Sequence, residues 1–212
     1  MRTLLSLIVF SSLTILSGCG GGATVSQNQC IARDWQTLGY RDGVNGLRSS
    51  QLLKHQDACV EHGIIPDRAG YMAGWNEGVG EYCQPNNAFE IGELGRGHNN
   101  VCPGEMQTTF TTAYREGRKL YLLRVEVANI ERAIARSEQR LEAVKAEIVS
   151  SATHQFDPLL TPADRIELAA HTHQLTEERH RLQHEIPALL DELDDKQAEL
   201  DGLRQSLAGV VY

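Results

Sequence analysis

His173, Glu177, His180 and His184 step by four, three and four residues along a segment rich in helix formers. At that spacing they share one helix stripe. Two His four apart can hold a divalent metal, with a carboxylate as a further ligand. No Glu follows either His in a His-Glu-x-x-His pattern, so no metal-activated water with its own general base is implied. The stripe borders an apolar seam, and a polar flank of paired helices accounts for it; His there would also titrate near neutral pH. No metal and no cofactor are expected, and the stripe is the candidate if a metal binds. His55 and His62, with Asp57 and Glu61, surround Cys59. A thiol beside an imidazole is a nucleophile's arrangement, but a disulfide-bonded Cys cannot attack. There is no Gly-x-Ser-x-Gly elbow. The carboxylates of Asp191 to Asp195 sit on a charged helix flank. No enzyme is expected.

Cys19 is the residue whose setting points to a definite chemistry. Arg2 is a small cationic start, and Leu4 to Leu16 is a 13-residue stretch with nine apolar residues. A short apolar run followed by small residues is a secretory signal, too short to span a bilayer. Its ending, Leu16-Ser17-Gly18-Cys19, looks like a bacterial lipobox. That likeness implies diacylglycerol on the Cys19 thiol and cleavage just before it. Residues 1–18 would be the signal, and 19–29 the lipidated Cys and a flexible Gly-rich tether. Gly20, rather than Asp, after the Cys favours by resemblance the outer membrane of a Gram-negative envelope. The chain is thus expected to face the periplasm, held to the membrane by its N-terminal lipid.

Cys30, Cys59, Cys83 and Cys102 remain, and four Cys in an exported chain imply two disulfides. Three connectivities are open. Cys30–Cys59 with Cys83–Cys102 closes the more local loops and is the preferred reading. Spacings of 29, 24 and 19 fit no common zinc finger.

Of the 212 residues, 28 are Asp or Glu and 20 are Lys or Arg, a net charge of -8 that disfavours nucleic acid as a partner. Twelve Gly and both Trp lie between Cys30 and Gly104, and only three Gly follow. This break divides a Cys- and Gly-rich helical domain, 30–104, from a helical segment, 105–212. Gly39-Tyr-Arg-Asp-Gly43 recurs as Gly74-Trp-Asn-Glu-Gly78 and as Ala113-Tyr-Arg-Glu-Gly117. Small residues four apart share a helix face and admit a second helix closely; packing is preferred over ligand binding by the aromatic and acid. Short helices are expected over 52–61 and 68–82, with Asp67 capping the second, and a turn at 84–87.

Beyond residue 104 the pattern changes. Leu120, Leu123, Val127, Ile130, Ile134, Ser137, Leu141, Val144 and Ile148 alternate steps of three and four, the mark of a coiled-coil seam. A second series runs from Leu168 to Leu207. Thr161-Pro162 is a helix start. With 150–161 as the connection, an antiparallel hairpin follows. Pro187 lies inside the second series and predicts a kink or break near 183–187. The fold class is all-α: a disulfide-stapled helical domain and a long antiparallel coiled-coil hairpin.

The order Cys30, Asp34-Trp35, Gly39, Asp42-Gly43, Gly46, His55, Cys59, Pro66-Asp67, Tyr71, Gly74, Gly78, Tyr82-Cys83, Asn87, Phe89, Gly92, Gly95, Cys102-Pro103 resembles a domain-of-unknown-function family of Gram-negative lipoproteins. The resemblance covers about residues 30–120 and implies an address and an architecture, with no activity attached. The expected role is a structural or protein-interaction module. Its partner would be another envelope protein, or a second copy through the coiled coil. A periplasmic small-ligand or metal-binding module is the alternative.

Overall fold

The computed structural model describes residues 25–209; Cys19, the signal segment and the start of the tether lie outside them. All the described secondary structure is helical: α1 (Gln27–Ala32), α2 (Trp35–Val44), α3 (Gln51–Val60), α4 (Arg68–Tyr82), α5 (Pro85–Glu93), α6 (Gly104–His154) and α7 (Pro162–Ala208).

Local chemistry explains where the helices start. Asp34 and Asp67 cap α2 and α4 by accepting from backbone N–H groups in the first turn. Thr161 and Asp164 form a reciprocal capping box on α7, with Pro162 opening the helix. Two expectations need correction. The tether does not reach residue 29: Ser26 and Gln29 form a capping box that starts α1, and Val25 is buried. Residues 84–87 are not a free turn, because Pro85 opens α5, where a missing N–H costs nothing.

The domain is built on backbone-to-backbone packing of helix pairs. A Cβ at Gly74 would overlap the Gln36 carbonyl oxygen, and one at Gly39 would overlap that of Tyr71. Gly43 and Gly78 face each other one turn further along. Glycine costs about 1 kcal/mol of helix propensity, which this close approach offsets by contact along both backbones. The same design recurs in α5 and the start of α6. Gly92 lies on the Tyr114 carbonyl, and Gly117 on that of Phe89. The repeat therefore has a fourth member, Ala88-Phe-Glu-Ile-Gly92, and the four segments form two pairs.

The likeness of the two pairs extends to detail. Gly46 and Gly95, both left-handed at φ 64° and 70°, turn the chain after α2 and α5. A Cβ on either would strike a Tyr ring, Tyr82 or Tyr121. Trp75 Nε1 donates to the Leu47 carbonyl at 2.8 Å, and Tyr114 Oη donates to that of Arg96 at 3.0 Å, each one residue past the turn glycine. Tyr82 stacks on Phe110 at 5.2 Å between the pairs, and Asn99 donates to the Gly46 carbonyl at 2.9 Å.

Because α6 starts at Gly104, the composition break coincides with its N-terminus. The packed domain nevertheless runs into it, since Phe110, Ala113 and Gly117 belong to the second pair. From Leu120 onward α6 packs against α7, antiparallel, joined by residues 155–161. Leu120, Leu123 and Val127 bury against Leu200, and Val144 against Leu175 and Leu182. Ser137, the polar member of the first seam, donates to Glu185 Oε1 at 3.0 Å. At Pro187 no break occurs: α7 is continuous, and the proline itself is exposed. Packing of Leu182 before it and Leu200 after it on one partner helix keeps the register. At a rise of 1.5 Å per residue, the 51 residues of α6 extend about 75 Å.

Candidate functional site

The disulfides are Cys30–Cys59 and Cys83–Cys102. The first ties α1 to α3, neither of which has a long packed face of its own. Closing a loop of 29 residues restricts the unfolded chain. Replacing Cys30 and Cys59 by Ser is expected to cost about 2–4 kcal/mol, read as a lower urea midpoint in a non-reducing melt.

His55 turns inward, away from His62, Asp57 and Glu61, which are exposed. Its Nε2 lies 2.6 Å from Asp42 Oδ2, and Tyr71 Oη donates to the same oxygen at 2.8 Å. All three residues are buried, so one carboxylate of α2 joins α3 and α4 in the core. Burial, and after it the hydrogen bond to Asp42, push the Tyr71 phenol far above its ordinary value. The second helix pair has Ile91 and Phe110 at the corresponding places. The polar trio is thus a pin for α3, which the second pair lacks. Cys59 is in the disulfide and is no nucleophile.

The His173, Glu177, His180 and His184 stripe lies on the outer side of α7. His173 and Glu177 are 4.0 Å apart and solvent-exposed. Among the described residues no three His, Cys, Asp or Glu side chains come together closely enough to hold a metal.

Across the hairpin the charges fix orientation. Arg140 donates to both oxygens of Glu178 at 2.7 and 2.8 Å, and also to Glu147. Lys196 bridges Glu126 and Glu199 at 3.1 and 2.9 Å. The Arg140 hydrogen bond holds Glu178 below its ordinary value, and that of Thr161 does the same for Asp164. A depressed carboxylate contributes stability that is present above its unfolded pKa, near 4.3 for Glu, and lost as pH falls through the folded value. Acid weakening of the hairpin below about pH 4.5 is therefore expected to be smaller in Arg140→Gln than in the native chain, followed by melting at stepped pH.

The hairpin's far end is apolar. Val149, Phe156, Leu159 and Ile166 are exposed by 65%, 85%, 88% and 73%. Beside them a shallow hollow of about 300 Å³ is lined by His154, Leu160, Asp164, Glu167, Leu168 and His171. None of the four falls in either seam series, and they are more exposed than Leu122 and Leu190, the exposed large apolar residues of the shaft, at 46% and 45%. Exposed apolar clusters rimmed by polar groups mark interaction sites. Heptad periodicity does not single it out, because Val149 and Ile166 lie off the seam positions of α6 and α7, and Phe156 and Leu159 lie in the connection, where there is no period. No described helix is long and apolar enough to cross a membrane.

The molecule is thus an all-helical protein in which a glycine-packed, disulfide-stapled domain carries a projecting antiparallel hairpin. Residues 34–119 match the family model described as a protein of unknown function (DUF2799). The match takes in both helix pairs and ends where α6 leaves the domain. Comparison with curated proteins and with solved structures finds no match.

Proposed function

We propose that this chain is a lipoprotein of the bacterial outer membrane, anchored through acylated Cys19 and facing the periplasm, whose hairpin engages another envelope protein. It is read as a structural and interaction module rather than an enzyme. The exposed apolar tip carries the reading: Phe156 and Leu159 stand clear of the fold at the end of a hairpin tens of ångströms long. Charge supports a protein partner, since Asp157, Asp164 and Glu167 rim the tip against Arg165 alone. Such a rim fits a partner segment with apolar residues flanked by Lys or Arg.

Phe156→Ser with Leu159→Ser tests this. Both side chains are exposed, so melting should stay within about 0.5 kcal/mol of native. On native gels of solubilised membranes the native chain is expected in a complex larger than itself, and the double variant is expected without it. Persistence of that complex would remove the tip from the reading.

A further inference from the structure

Of the five exposed large apolar side chains between residues 25 and 104, four lie on α1, on α3 and just after it; the fifth, Leu94, follows α5. Ile31 on α1, Leu53 and Val60 on α3, and Ile65 just beyond are exposed by 58%, 62%, 60% and 84%. Leu53 and Val60 are seven apart, two turns along one face of α3. Ile31 and Val60 each follow one half of the Cys30–Cys59 bridge, whose Cα atoms are 5.5 Å apart. Ile65 follows Ile64, whose N–H donates to the Cys59 carbonyl. The disulfide therefore collects side chains from three segments into one apolar patch.

We infer that this patch beds into the lipid surface to which the chain is anchored. The inference rests on the lipidation of Cys19 proposed above. Its first support is reach. Six residues lead from Cys19 to Val25, which allows at most about 21 Å. Val25 is buried in the same cluster as Cys30, Cys59 and Ile64, so the tether ends in the core directly beneath the patch. An acyl chain on Cys19 brings this side of the domain to the bilayer. The second support is charge. Residues 25–68 hold five Lys or Arg and five Asp or Glu, so the whole acidic excess lies in the later part of the chain. The patch side can approach an anionic surface without repulsion, and the hairpin is driven away from it. Contact there is apolar and insensitive to salt. It orients the domain, so that the hairpin departs in a defined direction from the membrane.

The test uses the full lipidated chain, purified from cells and reconstituted in vesicles of phosphatidylethanolamine and phosphatidylglycerol containing phosphatidylcholine with brominated acyl chains. Trp fluorescence is read in Ile65→Trp, in Leu53→Trp and in Val149→Trp at the hairpin tip, each as the difference from the native chain, whose Trp35 and Trp75 are common to all. All three positions are exposed, so the fold should tolerate them. Quenching at 65 and 53 should exceed that at 149 by about threefold or more, because bromine reports only side chains within the acyl region. High salt should not change it. Quenching at 65 and 53 no greater than at 149, in a chain carrying the lipid mass, overturns the patch and leaves the anchor standing; the surface would then face a protein. Absence of the lipid mass on the cell-derived chain overturns the anchor, and the inference with it.

Discussion

Gly74→Ala is expected to destabilise the domain by at least about 3 kcal/mol, whereas Gly80→Ala in the same helix should be neutral or stabilising by up to about 1 kcal/mol. The chemistry of the two changes is identical. A Cβ at 74 meets the Gln36 carbonyl oxygen and the Tyr40 nitrogen of α2, and backbone cannot rotate aside. At 80 it meets nothing within 4 Å and removes only the unfolded-state freedom of glycine. Urea midpoints of the two variants under oxidising conditions measure the difference. Equal midpoints would mean that α2 and α4 do not touch at their glycines.

Asp42→Ala is expected to cost about 3–5 kcal/mol, for a different reason. Its Oδ2 accepts from Tyr71 and lies against His55 Nε2, and the side chains around it are buried. Removing the carboxylate strips the shared partner from two buried polar groups, and each incurs a desolvation cost. The loss should centre on α3, so hydrogen exchange should accelerate over Gln51–Val60 more than over α6. The pH sign follows from Tyr71. Its pKa is raised, so its contribution is complete below the unfolded phenol value near 10 and declines as pH rises beyond it. Alkaline weakening should be smaller in Asp42→Ala than in the native chain.

Long-range periodicity made the hairpin legible. Leu120 to Ile148 and Leu168 to Leu207 each repeat one geometric rule over many turns, and the residues so picked are the less exposed ones in both helices. Helix starts at Asp67 and Thr161 were legible because one side chain closes one unpaired turn. Short elements were not. The six residues of α1 are too few for a period, and a capping box holds them. Ala88-Phe-Glu-Ile-Gly92 escaped because its acid stands one place early and Ile91 takes the acid's usual place; its aromatic and the small residues, which do the packing, keep their places. The Asp42, His55 and Tyr71 trio spans 29 residues without periodicity, and no local rule joins its members. Exposure at Phe156 and Ile65 depends on what the rest of the chain leaves uncovered. No single segment carries that information.

Crosslinking in living cells tests the anchored interaction module most directly. A photoreactive amino acid is placed singly at Phe156, Leu159 and Ile166 on the tip and at Arg132 and Glu142 on the shaft, and the adducts are identified by mass spectrometry. The expected result is one envelope protein recovered from the tip positions, with weaker or no adducts from the shaft. Adducts only between copies of this chain, or a partner captured from the shaft and never from the tip, would contradict it.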